Sequence, residues 1–99
     1  MSDRDRIEID FAMAMEQARL LEGMAGELCD LARGDLSEAI GLLKGGFGGE
    51  NGAAFLKKGE RLTPSLFETA EQMKKAAGNI RFTAELIYRA EKLAEGLVV

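Results

Sequence analysis

The chain has 99 residues, the size of one domain, and its 17 acidic and 13 basic residues give a net charge of -4. This acidic balance argues against nucleic-acid binding, and a chain with no histidine and one cysteine has neither a disulfide framework nor a Cys/His zinc cluster. The uncharged runs are too short to cross a bilayer, and the charged start MSDRDRIEIDF is not typical of a cleavable signal peptide. We therefore expect one domain at 1–99 that inserts into no membrane.

A four-three spacing of apolar residues predicts the first helix, over about 5–44. One register of its seam is alanine from Ala18 to Ala39, so a neighbouring helix can approach closely. Gly34 is the candidate break, but the spacing keeps its phase across Asp35 to Leu42, which favours one helix with a bend. The predicted seam consists of Ile7, Phe11, Ala14, Ala18, Leu21, Ala25, Leu28, Ala32, Asp35, Ala39 and Leu42.

Further apolar residues flank this seam on both sides, and one neighbouring helix cannot cover all of them. We therefore predict that the hairpin pairs into an antiparallel four-helix bundle, as a homodimer or a heterodimer. With no histidine to activate it, the cysteine is expected to be an inert, buried thiol. The predicted dimer interface consists of Met15, Met24, Cys29, Leu36 and Leu43.

Five glycines around a single aromatic at 45–52 predict the turn of a hairpin. The apolar spacing then returns and predicts a second helix over about 53–96, kinked near Pro64 because proline lacks an amide donor. The fold expected is an all-α, antiparallel two-helix hairpin. The second seam consists of Phe55, Gly59, Leu62, Leu66, Thr69, Met73, Ala76, Ile80, Thr83, Ile87, Ala90, Ala94 and Leu97.

No group of residues in this pattern suits catalysis. The glycine turn lacks the lysine of a phosphate-binding loop, since Gly52 is followed by alanines. Asp35 is the only acid on a seam, and the basic cluster at 57–61 is most simply a solvated face. We expect no catalytic residue, no cofactor and no metal, and therefore no enzyme.

Two short motifs carry a resemblance to a known family. The turn contains Phe47-Gly48-Gly49, followed by small residues and Phe55, and the carboxy-terminal pattern is Ile87, Glu91, Ala94 and Val98. The chain thus resembles the WXG family of small type VII (ESX) secretion substrates, with phenylalanine in place of the family's tryptophan. It is similar to the ESAT-like hairpins of low-GC Gram-positive bacteria.

The resemblance implies a non-enzymatic secreted substrate or partner, made in the cytoplasm and exported without a cleavable signal peptide. It implies the secretion ATPase and a larger secreted toxin as partners, a role in virulence or interbacterial competition, and recognition through the carboxy-terminal pattern. We expect that tail to extend past the first helix. The alternative function is an intracellular helical-hairpin adaptor or chaperone that is not exported.

Overall fold

The computed structural model describes residues 2–46 and 49–97, and the chain is an all-α helical hairpin, as predicted. Ser2 starts the first helix, because its hydroxyl accepts a hydrogen bond from the Asp5 amide at 3.2 Å and its carbonyl accepts one from the Arg6 amide at 3.1 Å. The elements are α1 (Asp3–Leu31), a π-helical segment (Ala32–Leu36), α2 (Ser37–Gly46) and α3 (Gly49–Leu97).

The turn is shorter than the predicted range 45–52. Helix α2 continues to Gly46 and α3 begins at Gly49, while Phe47 and Gly48 of the predicted motif lie outside the described residues. Glycine weakens a helix by about 1 kcal/mol but keeps its amide donor, so a few glycines can remain helical at helix ends. Helix α3 also runs through Pro64, and the kink expected there stays a prediction.

The chain divides into two compact units. We call residues 1–23 with 74–99 the terminal unit, and residues 24–73 the central unit. Each unit pairs a segment of the amino-terminal half of the chain with a segment of α3, and each is described by itself below.

In the terminal unit the two segments are antiparallel. Contacts join Phe11 to Tyr88, with ring centroids 4.5 Å apart, and Glu22 to Arg81 by an ion pair. Residue numbers therefore fall along one segment as they rise along the other. The core of this unit is formed by small residues and one isoleucine, namely Ile7, Ala18, Ala77 and Ala84.

The central unit has its own small core. Ala25, Cys29 and Ala70 form a buried cluster, against which Leu28, Phe67 and Met73 pack. The thiol is buried, as predicted, but the assignment of Cys29 to a dimer interface is wrong, because residues of its own chain already cover it. Ala32 and Ile40 are also buried in this unit.

The predicted seam of the first helix is confirmed as far as Ala32 and wrong beyond it. Asp35, Ala39 and Leu42 are exposed, whereas Ile40 is buried and Leu36 is half-buried. The π-helical segment explains this shift by one position, because a π turn holds one more residue than an α turn and so rotates everything after it. The acid in the predicted seam is therefore not in the seam at all.

One register of the α3 seam lies one position from the predicted one, whereas the other register is half-buried as predicted, at Gly59, Leu66, Met73 and Ile80. The buried residues are Ala70, Ala77 and Ala84, seven residues apart, whereas the predicted Thr69, Ala76 and Thr83 are exposed. Where two helices approach closely, only small side chains fit between them, and larger ones take the margins. The prediction followed the larger residues Phe55 and Leu62, which the structure leaves exposed beside the seam.

Candidate interaction surfaces

The terminal unit has an open apolar groove along one side of α3. Its walls are Ala14 from α1 and Ile80, Thr83 and Ile87 from α3, and its volume is about 340 Å³. Asn79 and the buried Ala84 complete it. We call this surface the terminal groove. Among the described residues, those that line this groove are uncharged, and an adjoining pocket that shares Ala14, Ala84 and Ile87 includes the acids Asp10 and Glu91.

The other flank of the terminal unit is polar. The Tyr88 hydroxyl donates a hydrogen bond to Glu8 Oε1 at 2.8 Å, and Lys92 Nζ lies 3.4 Å from the same oxygen. The hydrogen bond from Tyr88, with the Lys92 contact, lowers the pKa of Glu8 below its ordinary value. The same hydrogen bond to the Glu8 carboxylate raises the pKa of Tyr88. This cluster joins the two segments of the unit through exposed groups.

Ion pairs also bind the carboxy-terminal end of α3 to the first turns of α1. Glu91 lies 3.6 Å from Arg6, and Glu95 lies 4.0 Å from Arg4. The tail was expected to extend past the first helix, which is wrong for the described residues. The amino-terminal helix begins at Asp3, earlier than predicted, and its first residues therefore lie beside the end of α3.

The predicted tail-recognition residues have different surroundings. Ile87 and Ala94 are exposed, whereas Glu91 is held by Arg6 and its side chain is only 30% exposed. Val98 lies outside the described residues. Two of the four predicted positions are therefore accessible as they stand.

The predicted dimer-interface residues are likewise spread out. Met24 is exposed, Met15 is half-buried, and Leu36 is half-buried in the central unit. Cys29 is in the core, and the side chain of Leu43 lies outside what the structure describes. Met15 belongs to the terminal unit, and Met24, Cys29 and Leu36 belong to the central unit.

A second groove lies in the central unit, between α2 with its preceding π segment and α3. Its apolar walls are Leu36, Ala39, Phe55 and Leu62, and its volume is about 440 Å³. Ile40 and Gly59 line it between the walls, and a β-carbon added at residue 59 would lie 3.4 Å from Ile40 Cγ1. We call this surface the central groove.

Lys58 and Arg61 also line the central groove, which makes it cationic as well as apolar. The acid between them in the sequence, Glu60, pairs with Lys44 at 3.5 Å. The groove-lining residues include no carboxylate. Sequence reasoning treated this basic cluster as a solvated face and therefore missed its position beside apolar walls.

Sequence reasoning also missed the pairing of Arg4 and Arg6 with α3. The sequence does contain a signal for this pairing. In two antiparallel helices, the numbers of residues that lie opposite each other add up to a nearly constant sum. That alignment brings the arginines near the start of α1 to the glutamates near the end of α3.

Within residues 2–46 and 49–97, no group of three or more acidic, cysteine or histidine side chains is arranged to hold a metal ion. Among the helices described, none combines the length and the hydropathy needed to cross a lipid bilayer. Comparison of the chain with protein-family models, with curated proteins and with solved structures finds no match. The two grooves and the carboxy-terminal contacts are therefore the candidate functional features of the chain.

Proposed function

We propose that this chain is a non-enzymatic association module that serves as a small secreted partner in a type VII (ESX-like) secretion system. The observation that carries the proposal is the terminal groove, an apolar surface that its own unit leaves open. Fully burying an isoleucine side chain contributes about 1.5–3 kcal/mol. Covering Ile80 and Ile87 therefore gives a partner helix a clear gain, since Ile87 is half-exposed.

The chemistry of the terminal groove favours a second copy as the partner in this association. A two-fold dimer places the same patch of both subunits together, so the patch has to be complementary to itself. The uncharged lining of Ala14, Ile80, Thr83 and Ile87 satisfies that requirement. Two hairpins joined in this way form the antiparallel four-helix bundle of the proposal, and a second small helical protein with an uncharged face would give the heterodimer.

The secretion role is supported by the resemblance of the turn and tail motifs to the type VII substrates. The tail leaves Ala94 exposed outside the terminal groove, and the ion pair that the structure describes for Glu91 is the partly exposed one with Arg6. Such exposed pairs contribute about 0–1 kcal/mol. A receptor on the secretion ATPase that supplies its own cation can therefore replace Arg6, and a larger secreted toxin can travel with the bundle.

Export from a Gram-positive host with a type VII ATPase tests this proposal. We expect Glu91→Ala and Val98→Ala to reduce the amount exported while expression and helicity stay normal. Arg6→Ala is the matched control, because it breaks the same ion pair but leaves the tail residues in place. It should be exported like the wild type.

Two results would contradict the secretion role. One is wild-type export of both tail variants, and the other is export that continues when the ATPase is deleted. A chain that stays in the cell in a host with an active system would support the intracellular adaptor instead.

A further inference from the structure

We propose that the central groove binds an amphipathic helix with an acidic flank, contributed by a protein other than a second copy of this chain. The inference takes from the proposed function only the view that the chain is an association module. It names the chemistry of a partner at a surface separate from the terminal groove.

The cations define one edge of this partner. Lys58 and Arg61 are three residues apart on α3, so they lie about one helical turn apart along the groove. Among the described residues, no carboxylate forms an ion pair with either of them, and the neighbouring Glu60 is paired with Lys44. A partner helix satisfies both cations with two carboxylates spaced three or four residues apart on one flank.

The apolar walls define the other face of the partner. Phe55 and Leu62 are 63% and 47% exposed and lie two helical turns apart, opposite Leu36 and Ala39. A helix laid in such a groove contacts it through apolar residues at positions i, i+3 or i+4, and i+7. The expected ligand is therefore a helix with leucine-like residues at that spacing and glutamate or aspartate beside them.

Charge explains why a second copy is the wrong occupant. In a two-fold dimer formed through the central groove, each copy of the groove would meet the other, and its lining contains two cations and no acid. Like charges would then face each other, which opposes association. The uncharged terminal groove has no such conflict, so the two grooves suit different partners.

Two designed helical peptides test the inference on the full chain. Both carry leucines at i, i+3 and i+7, and one has glutamates on the flank where the other has lysines. With fluorescein-labelled peptides and anisotropy as the readout, we expect the glutamate peptide to bind roughly tenfold or more tightly than the lysine peptide. The difference should shrink at high salt.

Charge reversal then locates the binding site. The double variant Lys58→Glu with Arg61→Glu should reverse the preference between the two peptides, and the neutral pair Lys58→Gln with Arg61→Gln should abolish it. The matched control is Lys75→Glu with Arg89→Glu, which changes the net charge equally on exposed residues of the terminal unit. The control should bind both peptides as the wild type does, and circular dichroism should confirm that every variant is folded.

Three outcomes would overturn the inference: equal affinity for the two peptides, no binding of either one, or loss of preference in the control. Dissociation of a wild-type dimer by the charge reversal alone would also overturn it, since it would show a second copy in the central groove. The peptide result is independent of export. If neither peptide binds selectively but export is normal and depends on the tail residues, this inference is refuted and the proposed function stands. If the peptides bind selectively but export does not depend on the tail residues, the proposed function is refuted and this inference stands.

Discussion

Deleting Asp35 should leave the hairpin nearly as stable as the wild type, although a deletion inside a helix usually disrupts packing. The residue lies in the π-helical segment, which holds one residue more than an α-helix needs. Removing one residue converts the segment to regular α-helix and leaves Leu36 and Ile40 facing the core. Because Asp35 is exposed, no buried contact is lost with it.

The expected change in the free energy of unfolding follows from the side chains that the register shift buries. Fully burying an isoleucine or leucine contributes about 1.5–3 kcal/mol, so buried Ile40 and half-buried Leu36 together contribute about 2–4 kcal/mol that depends on the correct phase. If the shift keeps that phase, deletion of Asp35 should change the free energy of unfolding by less than about 1 kcal/mol.

Deleting Glu16 is the matched control, since it removes one exposed acid from regular α-helix. It moves Arg19 into the fully buried place of Ala18, and burying an unpaired charge is severely destabilising. Urea unfolding followed by far-UV circular dichroism measures both deletions. If deletion of Asp35 costs as much as deletion of Glu16, the register-shift explanation is refuted.

Two further predictions concern the terminal unit. Ala77→Leu should destabilise the protein by about 1–3 kcal/mol because the alanine is fully buried, whereas Ala76→Leu on the exposed neighbour should change stability little, and thermal melts should separate the two. Glu8→Gln should lower the pKa of Tyr88 towards its ordinary value of 10.0, because the carboxylate that raises this pKa is gone. Ultraviolet titration measures the change, since the chain has one tyrosine and no tryptophan. An unchanged tyrosine titration would contradict the contact. Because folding lowers the pKa of Glu8, the stability from this contact should be present above the ordinary pKa of 4.5 and disappear as pH falls through the lowered pKa. On acidification, the urea midpoint of Glu8→Gln should therefore decrease less than that of the wild type. Equal decreases in the two proteins would contradict this prediction.

The helical class and the alanine seam that runs from α1 into the π-helical segment could be predicted because both are local patterns. Ala18, Ala25 and Ala32 recur every seven residues, and the structure buries all three completely. The phase beyond Ala32 could not be predicted, because one extra residue in a helical turn has no sequence marker beyond an acid in the seam. Asp35 is that acid, but the regular spacing of Ala39 and Leu42 after it favours a continuous α-helical seam and gives no sign of the extra residue.

The contacts of the candidate surfaces depend on how two segments that are distant in the sequence align. The apolar pattern of one helix carries no information on that alignment. Glu91 fits a short tail motif, yet its ion-pair partner Arg6 lies near the opposite end of the chain. In the same way, Lys58 and Arg61 have the pattern of a solvated cluster until the π-helical segment supplies Leu36 as an apolar wall beside them. The surroundings of Glu91, Lys58 and Arg61 are therefore set by tertiary contacts and not by the local sequence.

Sedimentation velocity at micromolar concentration tests most directly the claim that this chain acts by association through the terminal groove. We expect a dimer of twice the 10.7 kDa chain mass, and a shift to monomer in Ile80→Glu with Ile87→Glu, with helicity retained. Exposed Phe82→Glu with Leu86→Glu is the matched control for two added charges, and it should stay dimeric. A wild-type chain that sediments as a stable monomer and unfolds cooperatively would contradict the claim.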